Sequence, residues 1–415
     1  MTHPPIAHPA SALQRQWRQA GLVVSICLTA WTLTNMDQAL FGYAIPGILT
    51  EFQQPLQTIG TVLTISFVSA AGIVVLAGMA ADRWGRAPTL TVLLAASASL
   101  VGLQAFATDM VTLTILRALA FGLSGGLAPI TNAMVVEVMP ERWRGVAAGI
   151  LQCGYPLGWF LAAMLAAPLL DQYGWRAICL IAFGVVPASL LIGWLLQGQS
   201  PVAASMAHPP LANQPMGNQL TALFAPAYRR NSLASASMFF LFGGAYAGSA
   251  FFFPTFFAQA RGYSQADATA LVGLSNGIGV FGYLAAAFVG EFVIPRKQVF
   301  ILWCLGGAVG LLGLFWLSAS PGQDVIWYGL TAALFFGSQA VVIVLIAEIY
   351  PAPIRATAIA VCGSAPLSLG FAVFPILVPQ IVAQAGWPLG LSLIIVPLLV
   401  GSAIAGSMLV VKPAT

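Results

Sequence analysis

The run Thr32 to Pro46, TLTNMDQALFGYAIP, places one carboxylate, Asp37, inside an apolar stretch long enough to cross a bilayer. An acid at that depth costs about 2.5 to 3.5 kcal/mol on insertion scales and is kept where it faces a cavity or a proton path. Gly42 and Pro46 loosen the same helix, the first by weakening packing and the second by removing a backbone donor. A second charge, Arg117, lies about one and a half turns inside the outer end of another apolar run. Its guanidinium is a planar, permanently charged fork suited to a carboxylate. The chain has 15 basic and 11 acidic residues, and Asp37 and Arg117 are the two of them that lie well inside apolar runs. The chemistry this pair can do is coupled binding, with an anion on Arg117 and a proton on Asp37. Once a bound carboxylate neutralises the guanidinium, Asp37 takes up its proton more readily. A coupling of about 1 to 3 kcal/mol suffices for a 5- to 150-fold mutual effect.

Further residues suit a cavity wall. Arg117, Phe121, Ser124, Ala128 and Thr131 recur at helical spacing as one polar, small-sided stripe. Asn35, Gln38, Gln152, Tyr155, Tyr246, Asn276 and Gln339 are lining candidates, because amides and phenols orient a ligand without a charge penalty; amides at such depth also serve as interhelical glue. The run Phe251-Phe252-Phe253 reads as lipid-facing or packing. Other chemistries are excluded. No phosphate-cradling G-x-x-x-x-G-K-S/T string occurs, and the three histidines, His3, His8 and His208, lie in polar, proline-rich segments. No serine therefore has a histidine partner within the membrane, and no His-Cys-Asp/Glu cluster can hold a metal. The five cysteines sit singly in apolar runs as packing residues. No enzyme, cofactor, nucleotide or nucleic-acid partner is expected.

The elements that must carry these residues are membrane helices. With 59% hydrophobic residues, 6% charged and a mean hydropathy of +0.91, the chain is not a soluble globule. Runs of about 20 apolar residues predict helices, and no cleavable leader is expected. Twelve spans are predicted at 21–48, 58–81, 88–107, 111–138, 144–169, 175–196, 232–259, 266–290, 298–319, 324–349, 355–381 and 387–411. The segments are a 1–20 cytoplasmic start, a 21–196 six-helix bundle, a 197–231 cytoplasmic linker, a 232–411 six-helix bundle and a 412–415 tail. Twelve of the 15 basic residues fall on one side, against Arg176 and Arg261 on the other, which puts both termini in the cytoplasm. The tail of the linker, NQLTALFAPAYRR, reads either as a short amphipathic segment on the inner leaflet or as a flexible connector.

The halves repeat. Glu137-x-x-Pro140-x-x-x-Arg144 recurs as Glu348-x-x-Pro351-x-x-x-Arg355 at an offset of 211 (348 − 137, 351 − 140, 355 − 144). Gly174-Trp175 recurs as Gly386-Trp387 at 212, and Pro46 aligns with Pro254 at 208. This register argues for duplication and for a site at mid-bilayer between two halves that rock against each other.

After the second span, Gly78-Met-Ala-Ala-Asp82-Arg83-Trp-Gly85-Arg86 resembles the G-x-x-x-D-R-x-G-R signature of the major facilitator superfamily. A degraded copy follows in the second half, Glu291 then Arg296-Lys297, with Ala287 in the glycine place. Within that superfamily the chain is most similar to aromatic-acid and related organic-acid proton symporters. Their first helix carries D-G-x-D and a proline nine residues on; here, in Thr34-Asn35-Met36-Asp37, Thr34 stands in the place of the first acid, and Asp37 and Pro46 match. Their fourth helix is matched by Arg117, Gly125-Gly126, Pro129 and Glu137, with Phe121 in place of a glycine and Ile130 in place of an asparagine. Drug exporters carry G-x-x-x-G-P-x-x-G-G in span five, and Gly149-x-x-x-x-Gly154-Tyr155-Pro156-Leu157-Gly158 has those residue types at another spacing.

The resemblance implies an all-α fold of twelve transmembrane helices in two pseudo-symmetric bundles, and a monomer in the bacterial inner membrane. It implies inward transport of a small organic anion, a carboxylate and in one branch aromatic, with a proton. The alternatives are a proton-coupled exporter and a non-transporting solute receptor. It also implies a cytoplasmic gate of Gly78, Asp82, Arg83, Gly85, Arg86, Glu137, Arg144, Glu291, Glu348 and Arg355. In that gate Asp82 approaches Arg355 and Glu291 approaches Arg144, because helix N-termini attract carboxylates.

Overall fold

A computed structural model describes residues 9–197 and 216–410. The three histidines, Lys412 and most of the linker lie outside them. The described residues form helices α1 (Pro9–Glu51), α2 (Leu56–Trp84), α3 (Arg86–Leu103), α4 (Met110–Gly125), α5 (Leu127–Val138), α6 (Arg144–Gln152), α7 (Gly154–Leu180), α8 (Val185–Gln197) and α9 (Met216–Leu223). After these come α10 (Arg229–Ala247), α11 (Phe253–Ala260), α12 (Gln265–Phe292), α13 (Arg296–Trp316), α14 (Pro321–Leu334), α15 (Gln339–Ile349), α16 (Ala352–Ala358), α17 (Ala365–Ala385) and α18 (Trp387–Ser407).

Nine stretches among the described residues are long and apolar enough to cross a membrane. One of them, Glu141–Leu196, is interrupted at Gly174, whose φ of 72° no helix accommodates, and so makes two crossings. With α1 and the α10–α11 pair, the bundle has twelve crossings in two groups of six (9 + 1 + 2).

The sequence repeat is a repeat of structure. Asp109 caps α4, its side chain accepting from Val111 and Thr112 N–H at 2.8 Å. Ser320, 211 residues on, caps α14 in the same extended backbone conformation. Gly386 repeats the positive φ of Gly174, at 78°. The fourth crossing breaks at Gly126, between α4 and α5, and the tenth at the 3-10 turn Phe336–Ser338, which contains the counterpart Gly337 (337 − 126 = 211). The fifth breaks at Cys153, between α6 and α7, and the eleventh carries a π-helical segment, Ile359–Ser364, in the matching place. The first and seventh differ. Pro46 lies inside a continuous α1, whereas Pro254 opens α11 after a turn at 248–252.

The halves meet along two seams, α6 and α7 against α12, and α2 against α17. Small residues make the first possible. A Cβ on Gly273 would lie 2.0 Å from the Ala163 Cβ, so the helices touch almost backbone to backbone. At the second, Thr64 Oγ1 donates to the Ala372 carbonyl at 2.6 Å. The linker's tail is folded: α9 packs on α16, Leu223 is buried, and Tyr228 stacks on Tyr350.

Candidate functional site

The glycines of the fifth crossing position the first crossing. A Cβ at Gly158 would lie 2.5 Å from the Thr32 carbonyl oxygen and 2.6 Å from Met36 N, so α7 closes on α1 just before Asp37. Tyr43 Oη donates to the Trp159 carbonyl at 2.9 Å and fixes that register. On the other flank, Gln38 Nε2 donates to Ser124 Oγ at 2.5 Å and ties α1 to α4. Asp37 is thereby held fully buried, and neither carboxylate oxygen has a protein partner.

Arg117 does not reach the surface. It is fully buried, and none of its three guanidinium nitrogens has a protein acceptor. Its Cζ lies 4.2 Å from the Phe41 ring centroid, 5.2 Å from Phe121 and 5.7 Å from Phe251. Cation–π attraction thus supplies the contact that a carboxylate would otherwise make. Asp37 and Arg117 form no ion pair within 4.0 Å, so each keeps its hydrogen-bonding capacity open.

Beside this pair, at the meeting of the two halves, six rings form a closed circuit. Phe67 and Phe251 lie 6.2 Å apart, Phe251 and Trp159 5.6 Å, Trp159 and Tyr155 5.9 Å. Tyr155 and Tyr246 lie 5.3 Å apart, Tyr246 and Phe371 5.9 Å, and Phe371 closes on Phe67 at 5.0 Å. Phe121, the residue in a glycine place of the family pattern, packs edge-on to Phe67 at 4.7 Å. Among the rings, Phe67, Trp159, Phe371 and Phe251 were not legible as site residues. Phe251-Phe252-Phe253 is buried throughout, which decides between the lipid-facing and packing alternatives for that run in favour of packing. The signal available was Phe251's place five residues after Tyr246, beside a helix break that only the structure reveals.

The other expected lining residues separate. Asn35 donates to the Trp31 carbonyl in its own helix at 2.7 Å, and Thr131 donates to Leu127 and Ala128 carbonyls in its own helix. Asn276 is buried with Nδ2 on the Val272 carbonyl and Oδ1 without a partner. Gln152 and Gln339 are half-buried at the ends of breaks.

At the basic end of the bundle the expected pairings change. Glu291 reaches the start of the fifth crossing, where a Cβ on Gly145 would lie 2.9 Å from its carboxylate, but it pairs with Arg296, which also binds Glu348. Arg86 pairs with Glu137 at 2.6 Å, the counterpart of Arg296 with Glu348 (348 − 137 = 211). Asp82 forms no ion pair among the described residues, and a Cβ on Gly78 would meet nothing within 4 Å. Glu291 thus stands at the start of the fifth crossing as expected, but no ion pair joins it to Arg144 or Asp82 to Arg355. Arg144 Nε donates to the Met139 carbonyl and Arg355 Nε to the Tyr350 carbonyl (350 − 139 = 211), occupied by backbone acceptors that the preceding helices leave free. At the opposite end, Arg176 binds Glu51 at 2.6 Å and the Ala105 and Ala107 carbonyls, and its hydrogen bond holds the Glu51 carboxyl below the usual carboxylate range.

Twelve membrane helices in two matched halves, enclosing an unpaired acid and an unpaired arginine, define a membrane transporter of the secondary type. The sequence matches the profile of the Major Facilitator Superfamily over residues 27–344, and the chain belongs to that family. Among named relatives it is 24% identical to a gallate transporter of Pseudomonas putida, over 91% of this chain and 87% of the relative. It is 26% identical to a gentisate transporter of Corynebacterium glutamicum, over 78% and 72%. It is 30% identical to the 4-hydroxybenzoate transporter PcaK of Pseudomonas putida, over 43% and 40%. Its fold resembles that of a bacterial homolog of the human lysosomal transporter Spinster in an inward-facing, unoccupied conformation. The TM-score is 0.67 at 16% identity, covering 94% of this chain and 96% of that one.

Proposed function

We propose that the protein carries a small aromatic carboxylate into the cell together with a proton, by alternating access. The observation that carries this reading is Arg117, sealed in the protein with its whole hydrogen-bonding edge unused and phenyl rings around it. A guanidinium in that state accepts a carboxylate in bidentate fashion. The six-ring circuit next to it is suited to grip a flat ring by offset or edge-to-face contact. The named cargoes of the three relatives, gallate, gentisate and 4-hydroxybenzoate, are benzene rings bearing a carboxylate, which supports the same class here.

In this mechanism Arg117 anchors the anion and Asp37 carries the proton. Substrate on Arg117 removes the positive field from Asp37, so proton and anion load together. The loaded pair then rocks across the membrane as a neutral unit. The bias of arginine and lysine to one end supports a cytoplasmic orientation of that end and of both termini; a monomer in the bacterial inner membrane is the working unit of this reading.

The test is uptake of a panel of benzoates, aliphatic acids, cations and neutral drugs into proteoliposomes under an inward proton gradient. Aromatic carboxylates are expected to accumulate. Asp37→Asn is expected to lose gradient-driven accumulation while retaining exchange of preloaded substrate. Exclusive transport of cations or neutral compounds, or normal uphill uptake by Asp37→Asn, would overturn the assignment.

A further inference from the structure

The long helix α12 presents three faces. Leu274, Ile278, Phe281 and Phe288 are exposed and form its outer side, with Phe281 73% accessible. Gly273 and Gly277 pack on Ala163 and Phe160 of α7, and Gly279 and Gly282 pack on Ala332 and Ala333 of α14. Between those two packed faces, opposite the exposed side, Asn276 and Tyr283 stand seven residues apart on one stripe, two helical turns or about 10 Å. Both are buried, at 1% and 0% accessibility. The Asn276 Oδ1 has no protein partner, and the Tyr283 hydroxyl has beside it only the Tyr246 hydroxyl, outside good hydrogen-bond geometry; Tyr328 stands next to the Asn276 amide. Buried polar groups are ordinarily satisfied, and leaving one unsatisfied costs about 1 to 3 kcal/mol. The same helix α12 also packs on α1, the carrier of Asp37. The Tyr283 backbone lies against Gly337, which follows Phe336, and the Phe336 ring touches both Tyr155 and Tyr246.

The duplication says what kind of ligand group this stripe can take. The counterpart of Arg117 in the second half is Tyr328 (328 − 117 = 211), and the counterpart of Asp37 is Ala245 at the proline offset of 208. The second half thus carries no charge where the first half carries two. An amide oxygen accepts only, and a phenol both donates and accepts. A carboxylate would be repelled by the amide oxygen, whereas a neutral hydroxyl can donate to it and can exchange a hydrogen bond with the phenol.

We infer that Asn276 and Tyr283 form a neutral subsite of the second half that recognises an uncharged ring hydroxyl of the cargo, while its carboxylate lies on Arg117 of the first half. This rests on the carboxylate reading above, and it makes the two residues determinants of specificity. A ring acid held at both ends bridges the halves, so the subsite reports on cargo only when both halves close around it.

The test is equilibrium binding of benzoate and of the three monohydroxybenzoates to the purified full-length protein, for the wild type, Asn276→Leu and Tyr283→Phe. Both substitutions keep the branching of the side chain, and elution on size exclusion together with a wild-type melting temperature verifies that they are folded. The wild type is expected to bind at least one hydroxybenzoate about tenfold more tightly than benzoate, as the net worth of a hydrogen bond implies. Each variant is expected to lose most of that preference. Equal weakening of benzoate and hydroxybenzoates, or an undiminished preference in both variants, would overturn the subsite alone. Failure of the wild type to bind any of the four acids would instead remove the carboxylate reading, and the subsite with it.

Discussion

At the scale of single residues, the decisive property of Arg117 is that it is charged, buried and unpaired at once. Three phenyl rings compensate part of its desolvation without using its N–H groups. Lysine would keep the charge but lose the fork and the stacking plane. Arg117→Lys is therefore expected to weaken binding of an aromatic carboxylate by at least about tenfold, the equivalent of one charged hydrogen bond, with folding intact; affinity equal to wild type in a binding assay would refute the role. Glu51 has a different task. Arg176 and Trp175 hold its carboxyl below the usual range, so its contribution to stability is present above its unfolded value near 4.5 and is lost as pH falls through the lower folded value. Its side chain is 43% exposed, which limits that contribution to about 1 kcal/mol or less. Melting of the wild type in detergent should fall more steeply on acidification below pH ~4.5 than melting of Glu51→Gln.

At the scale of elements, glycine sets how close the crossings come. A Cβ on Gly282 of α12 would lie 1.9 Å from the Ala333 carbonyl oxygen and 2.3 Å from its Cα. Backbone cannot rotate away as a side chain does, so Gly282→Ala should destabilise by about 1 to 3 kcal/mol. Gly322→Ala, with nothing within 4 Å, should leave the melting temperature unchanged; equal melting of the two variants would contradict this packing. Elements were also where sequence reasoning reached furthest. Hydropathy located the crossings, and the 211-residue offset anticipated matched halves that the helix caps and helix breaks then repeat. It did not reveal that the fourth and tenth crossings break at Gly126 and Gly337, because a glycine inside an apolar run looks the same whether it bends a helix or admits a neighbour. Nor did it reveal the aromatic circuit. Phe67, Trp159 and Phe371 come from three crossings, and no local pattern distinguishes a ring facing its counterparts from one facing lipid. Asp37 and Arg117 stood out because a buried charge is costly wherever it points. The charged cluster at the basic end was legible by residue and not by partner, since Arg144 and Arg355 turn to carbonyls that become free only when the preceding helices end.

At the scale of the whole molecule, the two halves are alike in frame and unlike in charge. Caps, breaks and outer glycines repeat, while Asp37 and Arg117 face Ala245 and Tyr328 in the copy. On the proposed function, the first half is the electrostatic partner of the cargo and the second its neutral complement. The sealed pair also has an electrical meaning. With Asp37 ionised and Arg117 charged, the empty protein carries a net charge of zero through the hydrocarbon. If the proposed symport couples one anion to one proton, the two add zero to that sum, and neither the loaded nor the return stroke moves charge across the bilayer. Each elementary charge crossing 100 mV would exchange about 2.3 kcal/mol with the membrane potential. A transporter that moves none is blind to voltage. Proteoliposomes given a potassium diffusion potential and no pH difference should therefore accumulate no cargo, while those given a pH difference with the potential clamped at zero should accumulate it fully. The cell would feed such a carrier from the pH difference alone, and an energised membrane with equal pH on its two sides would leave it at equilibrium.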